Sequence, residues 1–70
     1  MITISINEQT YKFYEQITLS DALARYFEQE SKPTVFALAV NQNFVPQTQY
    51  ATHRLSTGDI VDIFSPIQGG

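Results

Sequence analysis

Apolar and polar residues alternate through the first fourteen positions of the chain. Ile2, Ile4 and Ile6 are separated by polar residues, and this period of two predicts a strand with one buried face. A polar turn at residues 7–9 precedes a second alternating stretch over residues 10–14. The two stretches together predict a β-hairpin.

The spacing of the apolar residues then changes to that of a helix. They recur at i, i+3, i+4, i+7 and i+8, on one helical face: Leu19, Ala22, Leu23, Tyr26 and Phe27. Thr18 is placed to cap the helix, and Asp21 completes an acidic variant of the capping box. Because proline disfavours helical geometry in the residue before it, Pro33 is expected to end the helix. The pattern predicts one helix over residues 19–30.

Short strands are predicted in the second half of the chain. A continuous apolar run over residues 35–40 suits a central strand, and residues 44–45 suit an edge strand that Pro46 stops. Residues 47–52 are compatible with either a short turn of helix or coil. Residues 60–64 form the last predicted strand.

The resulting order, β-β-α-β-β-β, predicts an α+β domain. One helix packed across a mixed sheet of four or five strands is the natural two-layer arrangement of these elements. The first and last strands are expected to pair in parallel at the centre of the sheet. We expect the domain to span residues 1–65, followed by a flexible C-terminal tail over residues 66–70.

Composition excludes several classes of function. Seventy residues make one domain, and without cysteine the chain forms no disulfide or thiolate metal site, which fits a reducing, cytoplasmic location. Four basic residues against seven acidic ones give a net charge of −3, which argues against a nucleic-acid partner. The N-terminus lacks the pattern of a signal peptide, and no stretch approaches the ~20 apolar residues of a membrane span. We therefore expect neither nucleic acid nor membrane as a partner.

The sequence contains no conventional catalytic or metal-binding constellation. His53 is the single histidine, and a structural or surface role is expected for it. Asp59 is assigned to a Thr-Gly-Asp turn, and Asp62 to the solvent face of the last strand. We therefore expect no catalytic residue, no metal ligand and no bound cofactor.

Phe64 differs from the other aromatic residues in its predicted position. On the last strand Val61 and Ile63 share one face, and Ile60 and Phe64 share the other. If the first pair faces the helix, Ile60 and Phe64 stand on the open face near the tail, where an exposed aromatic side chain anchors a partner. The alternative is that Phe64 tucks under a loop.

The chain given ends in Gly69-Gly70, which places a carboxylate behind two residues without a Cβ. Such a backbone threads a narrow channel that other residues would obstruct. An enzyme that converts the carboxylate to an acyl-adenylate makes it an acyl donor. The alternative on the tail alone is an incidental, frayed terminus.

The second half of the chain resembles a known family. The segments that carry the resemblance are Ala37-Leu-Ala-Val-Asn-Gln-Asn-Phe-Val-Pro46, Tyr50-Ala-Thr-His53, Gly58-Asp-Ile-Val-Asp-Ile-Phe64 and Gly69-Gly70. They are similar to the ThiS family of sulfur carriers in thiamine thiazole biosynthesis, ubiquitin-like β-grasp proteins related to the small subunit of molybdopterin synthase. Two positions depart from the family pattern: Gln47 stands where arginine is frequent, and Tyr50 where tryptophan is common.

The resemblance implies a carrier rather than an enzyme. It implies that a ThiF-like enzyme adenylates Gly70 with ATP and magnesium, and that a sulfurtransferase persulfide supplies sulfur to give a terminal thiocarboxylate. A ThiG-like thiazole synthase would then take the sulfur. Ile67, Gln68 and Gly69 would be recognised as the tail enters these enzymes, and Ile60 and Phe64 are the candidate docking residues.

Three other functions remain open from the sequence. A small subunit of the molybdopterin-synthase type would share the fold and tail chemistry but pass sulfur to a different acceptor. A ubiquitin-like modifier would join Gly70 to lysine through an isopeptide bond. A purely structural interaction module would not need its diglycine end.

Overall fold

The computed structural model describes residues 1–33 and 35–65. These described residues form five strands, one α-helix and one short 3₁₀ helix. Their bounds are β1 Ile2–Ile6, β2 Gln9–Phe13, α1 Leu19–Tyr26, β3 Ala37–Val40, β4 Asn43–Phe44, the 3₁₀ helix Gln47–Gln49, and β5 Ile60–Phe64. The predicted tail at residues 66–70 lies outside the described residues.

The five strands form one mixed sheet in the order β2-β1-β5-β3-β4. The first and last strands pair in parallel next to each other at the centre, as predicted, and all other neighbours are antiparallel. Helix α1 covers one face. The predicted β-grasp architecture is confirmed, with five strands rather than four.

Two hairpin turns of the same kind connect the antiparallel pairs. Asn7 and Glu8 join β1 to β2, and Asn41 and Gln42 join β3 to β4. All four residues have positive φ angles, between 48° and 72°. Two-residue loops with positive φ at both positions match the right-handed twist of the strands, and asparagine tolerates this conformation at the first position.

The start of helix α1 follows the predicted capping chemistry. The Thr18 hydroxyl accepts a hydrogen bond from the Asp21 N–H at 3.3 Å, and the Asp21 carboxylate accepts one from the Thr18 N–H at 3.1 Å. This reciprocal capping box satisfies two backbone donors at the helix start.

The helix is shorter than the predicted 19–30. It ends at Tyr26, and the backbone N–H groups of Glu28 and Gln29 bond back three residues rather than four, which tightens the chain into turns. Phe27 follows the last helical residue, but its ring still packs with the apolar side chains of the helix: it lies edge-on against Tyr26 and tilted against Phe36. The end therefore precedes Pro33, and proline is not its cause.

The third strand also begins later than predicted. The predicted strand covered residues 35–40, whereas β3 begins at Ala37, where its pairing with β5 ends opposite Phe64. Val35 is exposed, and the Phe36 ring stacks on Tyr50 at a centroid distance of 6.3 Å. The first two residues of the apolar run thus lie in a loop at the side of the core.

The hydrophobic core lies between the helix and the covered face of the sheet. Its largest fully buried side chains are Ile4, Ile6, Leu19, Leu38, Leu55 and Val61. They come from β1, β3, β5, the helix and the loop before β5, so every layer contributes to one cluster. Among the described residues, no helix is long and apolar enough to cross a membrane.

Candidate functional site: the last strand and the open face

Strand β5 is the last element before the predicted tail. It occupies the middle of the sheet, between β1 on one side and β3 on the other. The four residues with predicted roles in the tail, Ile67, Gln68, Gly69 and Gly70, follow the described part of the chain. Their assignment to activation and recognition stays a prediction.

The side chain of Asn7 holds the C-terminal end of β5. Its Oδ1 accepts a hydrogen bond from the Ile63 N–H at 2.7 Å, and its Nδ2 donates to the Ile63 carbonyl oxygen at 3.1 Å. The same Nδ2 lies 3.2 Å from the Tyr26 hydroxyl on the helix. At Asn7 the chain leaves β1 and enters the hairpin loop. The Asn7 side-chain amide therefore replaces the β1 backbone as the hydrogen-bonding partner of Ile63, and it also links Ile63 to Tyr26 at the end of the helix.

Asn41 performs the corresponding role at the N-terminal end of β5. Its Oδ1 accepts from the Ile60 N–H at 2.9 Å, while its own N–H donates to the Ile60 carbonyl oxygen at 2.7 Å. Its Nδ2 donates to Asp59 Oδ1 at 3.0 Å. The central strand β5 is therefore hydrogen-bonded near each end by an asparagine that is the first residue of a hairpin loop.

Sequence reasoning assigned both asparagines to turns and missed these contacts. The local signal was present, since an asparagine opens each of the two predicted turns, at residues 7–9 and 41–43. The bonds themselves join residues 56 and 19 positions apart in sequence, so only the sheet order brings the partners together.

The sheet face opposite the helix is open, and the part of it formed by β5, β3 and β4 is largely apolar. Ile60 and Phe64 each expose 52% of their surface, and Phe44 on the edge strand exposes 67%. The half-buried Ala37 and Ala39 lie between β5 and β4, because Ala37 pairs with Phe64 and Ala39 pairs with Phe44. We call the surface formed by Ala37, Ala39, Phe44, Ile60, Asp62 and Phe64 the open-face patch.

The position of Phe64 decides between the two interpretations left open by the sequence. Its ring is half exposed on the open face and is not tucked under a loop, and Ile60 stands two residues before it on the same face. Val61 points the other way and is fully buried. The strand parity was predicted correctly, whereas the docking role of Ile60 and Phe64 stays a prediction.

The backbone of His53 and the side chain of Asp59 have structural partners. The His53 carbonyl oxygen accepts from the Leu19 N–H at 2.9 Å at the helix start. The Asp59 carboxylate accepts from the Ser56 N–H at 2.8 Å, which closes the turn that contains Gly58 at a φ of 94°. Within residues 1–33 and 35–65, no group of three or more histidine or acidic side chains is arranged to hold a metal ion.

A groove of about 540 Å³ lies on the helix side, away from the open-face patch. It is lined by the aromatic residues Phe27, Phe36 and Tyr50, with Lys32 among its polar residues. Burial raises the pKa of the Tyr50 phenol above its usual value. The groove is the outer edge of the aromatic cluster, and it brings no set of reactive groups together.

Comparisons with known proteins agree with this architecture. The crystal structure of a thiamine biosynthesis protein, ThiS, from Geobacter metallireducens matches with a TM-score of 0.78, covering 99% of this chain and 100% of that chain. At 13% sequence identity, this likeness shows a shared fold. No curated protein sequence matches the chain significantly. The family model described as "ThiS family" matches residues 4–70, which is nearly the whole sequence, and the chain therefore belongs to the ThiS family.

Proposed function

We propose that this protein is a sulfur carrier whose Gly70 is adenylated and then converted to a thiocarboxylate, which donates sulfur to thiazole ring formation in thiamine biosynthesis. Family membership supports the carrier role itself. The observation that carries the finer proposal is that the family match runs through Gly69 and Gly70. The protein is then the substrate of an activating enzyme rather than an enzyme.

The proposed chemistry takes place at the carboxylate of Gly70. One carboxylate oxygen attacks the α-phosphorus of ATP, held with magnesium by a ThiF-like enzyme, and pyrophosphate leaves. The terminal sulfur of a persulfide then displaces AMP from the acyl carbon. A thiol releases the thiocarboxylate by taking the remaining persulfide sulfur into a disulfide. Because the thiocarboxylate sulfur is softer and more nucleophilic than oxygen, the terminus becomes a sulfur donor.

The residues before Gly70 are proposed to be recognised by shape. Gly69 has no Cβ, so a channel that closes tightly around the backbone admits it. Ile67 and Gln68 would then be the first side chains that such a channel contacts. A branched residue at position 69 would both fill the channel and restrict the backbone.

The open-face patch is the proposed docking surface for the activating enzyme. Exposed aromatic and aliphatic side chains close together favour a protein interface, and Ile60 and Phe64 provide both. They lie on the strand that leads to the tail, so docking there would also direct the tail. A ThiG-like thiazole synthase and a persulfide donor are the other proposed partners, in the cytoplasm.

Pyrophosphate exchange with the ThiF-like enzyme of the same genome tests the activation step. We compare the wild-type protein, a variant with one residue added after Gly70, and Gly69→Val. Displacing the carboxylate from the geometry of attack should slow exchange by ~10²-fold, and Gly69→Val should be similarly impaired. Exchange by the extended protein at the wild-type rate would show that the terminal carboxylate is not the substrate.

Intact-mass measurement provides the control and the product. It first verifies that Gly70 is the last residue of the isolated protein, and thermal melts verify that the three proteins are folded. After incubation with enzyme, ATP and a persulfide donor, the wild-type mass should increase by the difference between one sulfur and one oxygen. A mass increase from attachment to lysine would instead indicate a modifier, and sulfur transfer only to a molybdopterin precursor would indicate the other carrier class.

A further inference from the structure

Asp62 is a single carboxylate inside the open-face patch. It lies on β5 between Ile60 and Phe64, whose side chains point to the same side of the strand, and its cross-strand partner on β3 is Ala39. Ala39 in turn pairs with Phe44 on the edge strand. Asp62 is half-buried, and its neighbours on β5 and β3 on this side of the sheet are apolar.

Among residues 1–33 and 35–65, no cationic side chain is positioned to pair with Asp62. Arg25 lies over the Tyr11 ring and Arg54 donates to Gln16, while Lys32 lines the groove on the helix side. Lys12 shares the open face, but it lies two strands away and opposite Thr3, roughly 16 Å from Asp62 by strand geometry. In the part of the chain that the structure describes, the carboxylate also receives no side-chain hydrogen bond.

This arrangement restricts which surfaces can cover the patch. A purely apolar partner would remove water from a charged carboxylate without replacing its interactions, and that is strongly unfavourable. A second copy of this chain docked face to face would bring two such carboxylates together, and an anionic membrane surface would also repel it. A cationic side chain set in an apolar surface satisfies both the charge and the surrounding side chains.

We propose that the protein partner that docks on the open-face patch inserts a basic side chain between Ile60 and Phe64 to pair with Asp62. Arginine fits best, because its planar fork binds a carboxylate through two hydrogen bonds and packs against an aromatic ring. Asp62 then acts as a specificity residue, since it accepts an apolar surface with a cation and rejects one without. The inference rests on the proposed docking of the activating enzyme at this face.

Binding without ATP tests the pairing separately from the chemistry. Calorimetry with the ThiF-like enzyme gives a Kd for the wild-type protein, Asp62→Asn and Glu28→Gln. Asp62→Asn keeps the size of the side chain but removes its charge, and we expect Kd to rise on the order of tenfold or more. Glu28→Gln makes the same charge change at an exposed position after the helix and should bind like the wild type. The wild-type Kd should rise with salt more steeply than that of Asp62→Asn.

Phe64→Ser and the exchange assay separate the possible failures. If Asp62→Asn and Glu28→Gln bind equally well while Phe64→Ser binds weakly, the patch is the docking surface and the pairing inference is wrong. If Phe64→Ser also binds like the wild type, or if the wild type does not bind the enzyme, docking at this face is wrong. The exchange assay with the extended tail then still decides whether Gly70 is activated.

Discussion

The two faces of the sheet use similar residues for different purposes. Val61 and Ile60 are neighbours on β5, yet Val61 is fully buried and Ile60 exposes 52% of its surface. Along a strand, successive side chains point to opposite faces, so one step in sequence separates the core from the open-face patch. Apolar character alone therefore does not identify a core residue in this protein.

The faces also differ in how completely their side chains are packed. The covered face meets the helix and the loops, and Ile4, Ile6 and Leu38 have 2% exposure or less. The open-face patch has no such layer over it in the described chain, and its only charge is Asp62. The comparison teaches that stability depends on the covered face, and it leaves the open face available for recognition.

The largest expected effect comes from truncating a side chain on the covered face. Leu38→Ala should lower the free energy of unfolding by ~2–5 kcal/mol, because the leucine is fully buried and alanine leaves a cavity. Phe44→Ala, on the open face of the neighbouring strand, should cost no more than about 0.5 kcal/mol. Urea denaturation measures both.

A milder covered-face substitution can be compared with Phe44→Ala if Leu38→Ala is too unstable to give a folded baseline. Ile4→Val removes one buried methyl group and should cost ~0.5–1.5 kcal/mol. Equal costs for a covered-face and an open-face substitution would show that the open-face patch contributes to the core as much as the covered face does.

The second prediction concerns the side-chain amide of Asn7, which joins Tyr26 on the helix to Ile63 on β5. Asn7→Gly keeps the positive φ accessible but removes the amide, so the Ile63 N–H loses its partner. We expect a loss of about 1–3 kcal/mol in the free energy of unfolding.

Glu8→Gly is the matched control for Asn7→Gly. It lies in the same turn with a φ of 71°, and its side chain is exposed. Glycine relieves the positive φ there, so the change should cost little or stabilise slightly. If both glycine variants lose the same stability, the effect belongs to the flexibility of the turn and not to the amide.

Sequence predicted the parts of the fold that depend on local spacing. The period of two in β1 and β5, the helical stripe, and the Thr18–Asp21 capping box are each encoded within a few residues. The same parity predicted that Phe64 and Ile60 lie opposite Val61, which the structure shows. The family resemblance rested on short motifs in the second half, and the family match extends it to residues 4–70.

The errors lie where distant contacts decide the outcome. Phe27 continues the helical spacing but follows the helix, because contacts with Tyr26 and Phe36 hold its ring. Phe36 continues an apolar run but stacks on Tyr50 outside the strand. Asp62 does lie on the solvent face, as predicted, but only the pairing of β3 with β5 and β4 shows that its neighbours there are apolar.

The smallest predicted effect is a loss of stability at alkaline pH. It comes from two buried tyrosines on the helix side of the sheet, Tyr11 and Tyr50. Burial raises the pKa of both Tyr11 and Tyr50, and the charges of Tyr26 and Glu30 raise that of Tyr11 further, while Arg25 lowers it. The folded state therefore favours the neutral phenols. Their contribution is fully present below the ordinary tyrosine pKa of about 10 and is lost as the pH rises through the folded values.

Urea denaturation at a series of pH values from neutral to alkaline, with the wild type, Tyr50→Phe and Tyr14→Phe, tests this sign. The wild type should lose stability above about pH 10. Tyr50→Phe should lose less, because phenylalanine has no proton to release in the unfolded state. Tyr14→Phe removes the hydroxyl of an exposed tyrosine and should follow the wild type. A wild type that gains stability with rising pH, or a Tyr50→Phe curve that matches the Tyr14→Phe curve, would contradict the assignment of this pH dependence to buried phenols.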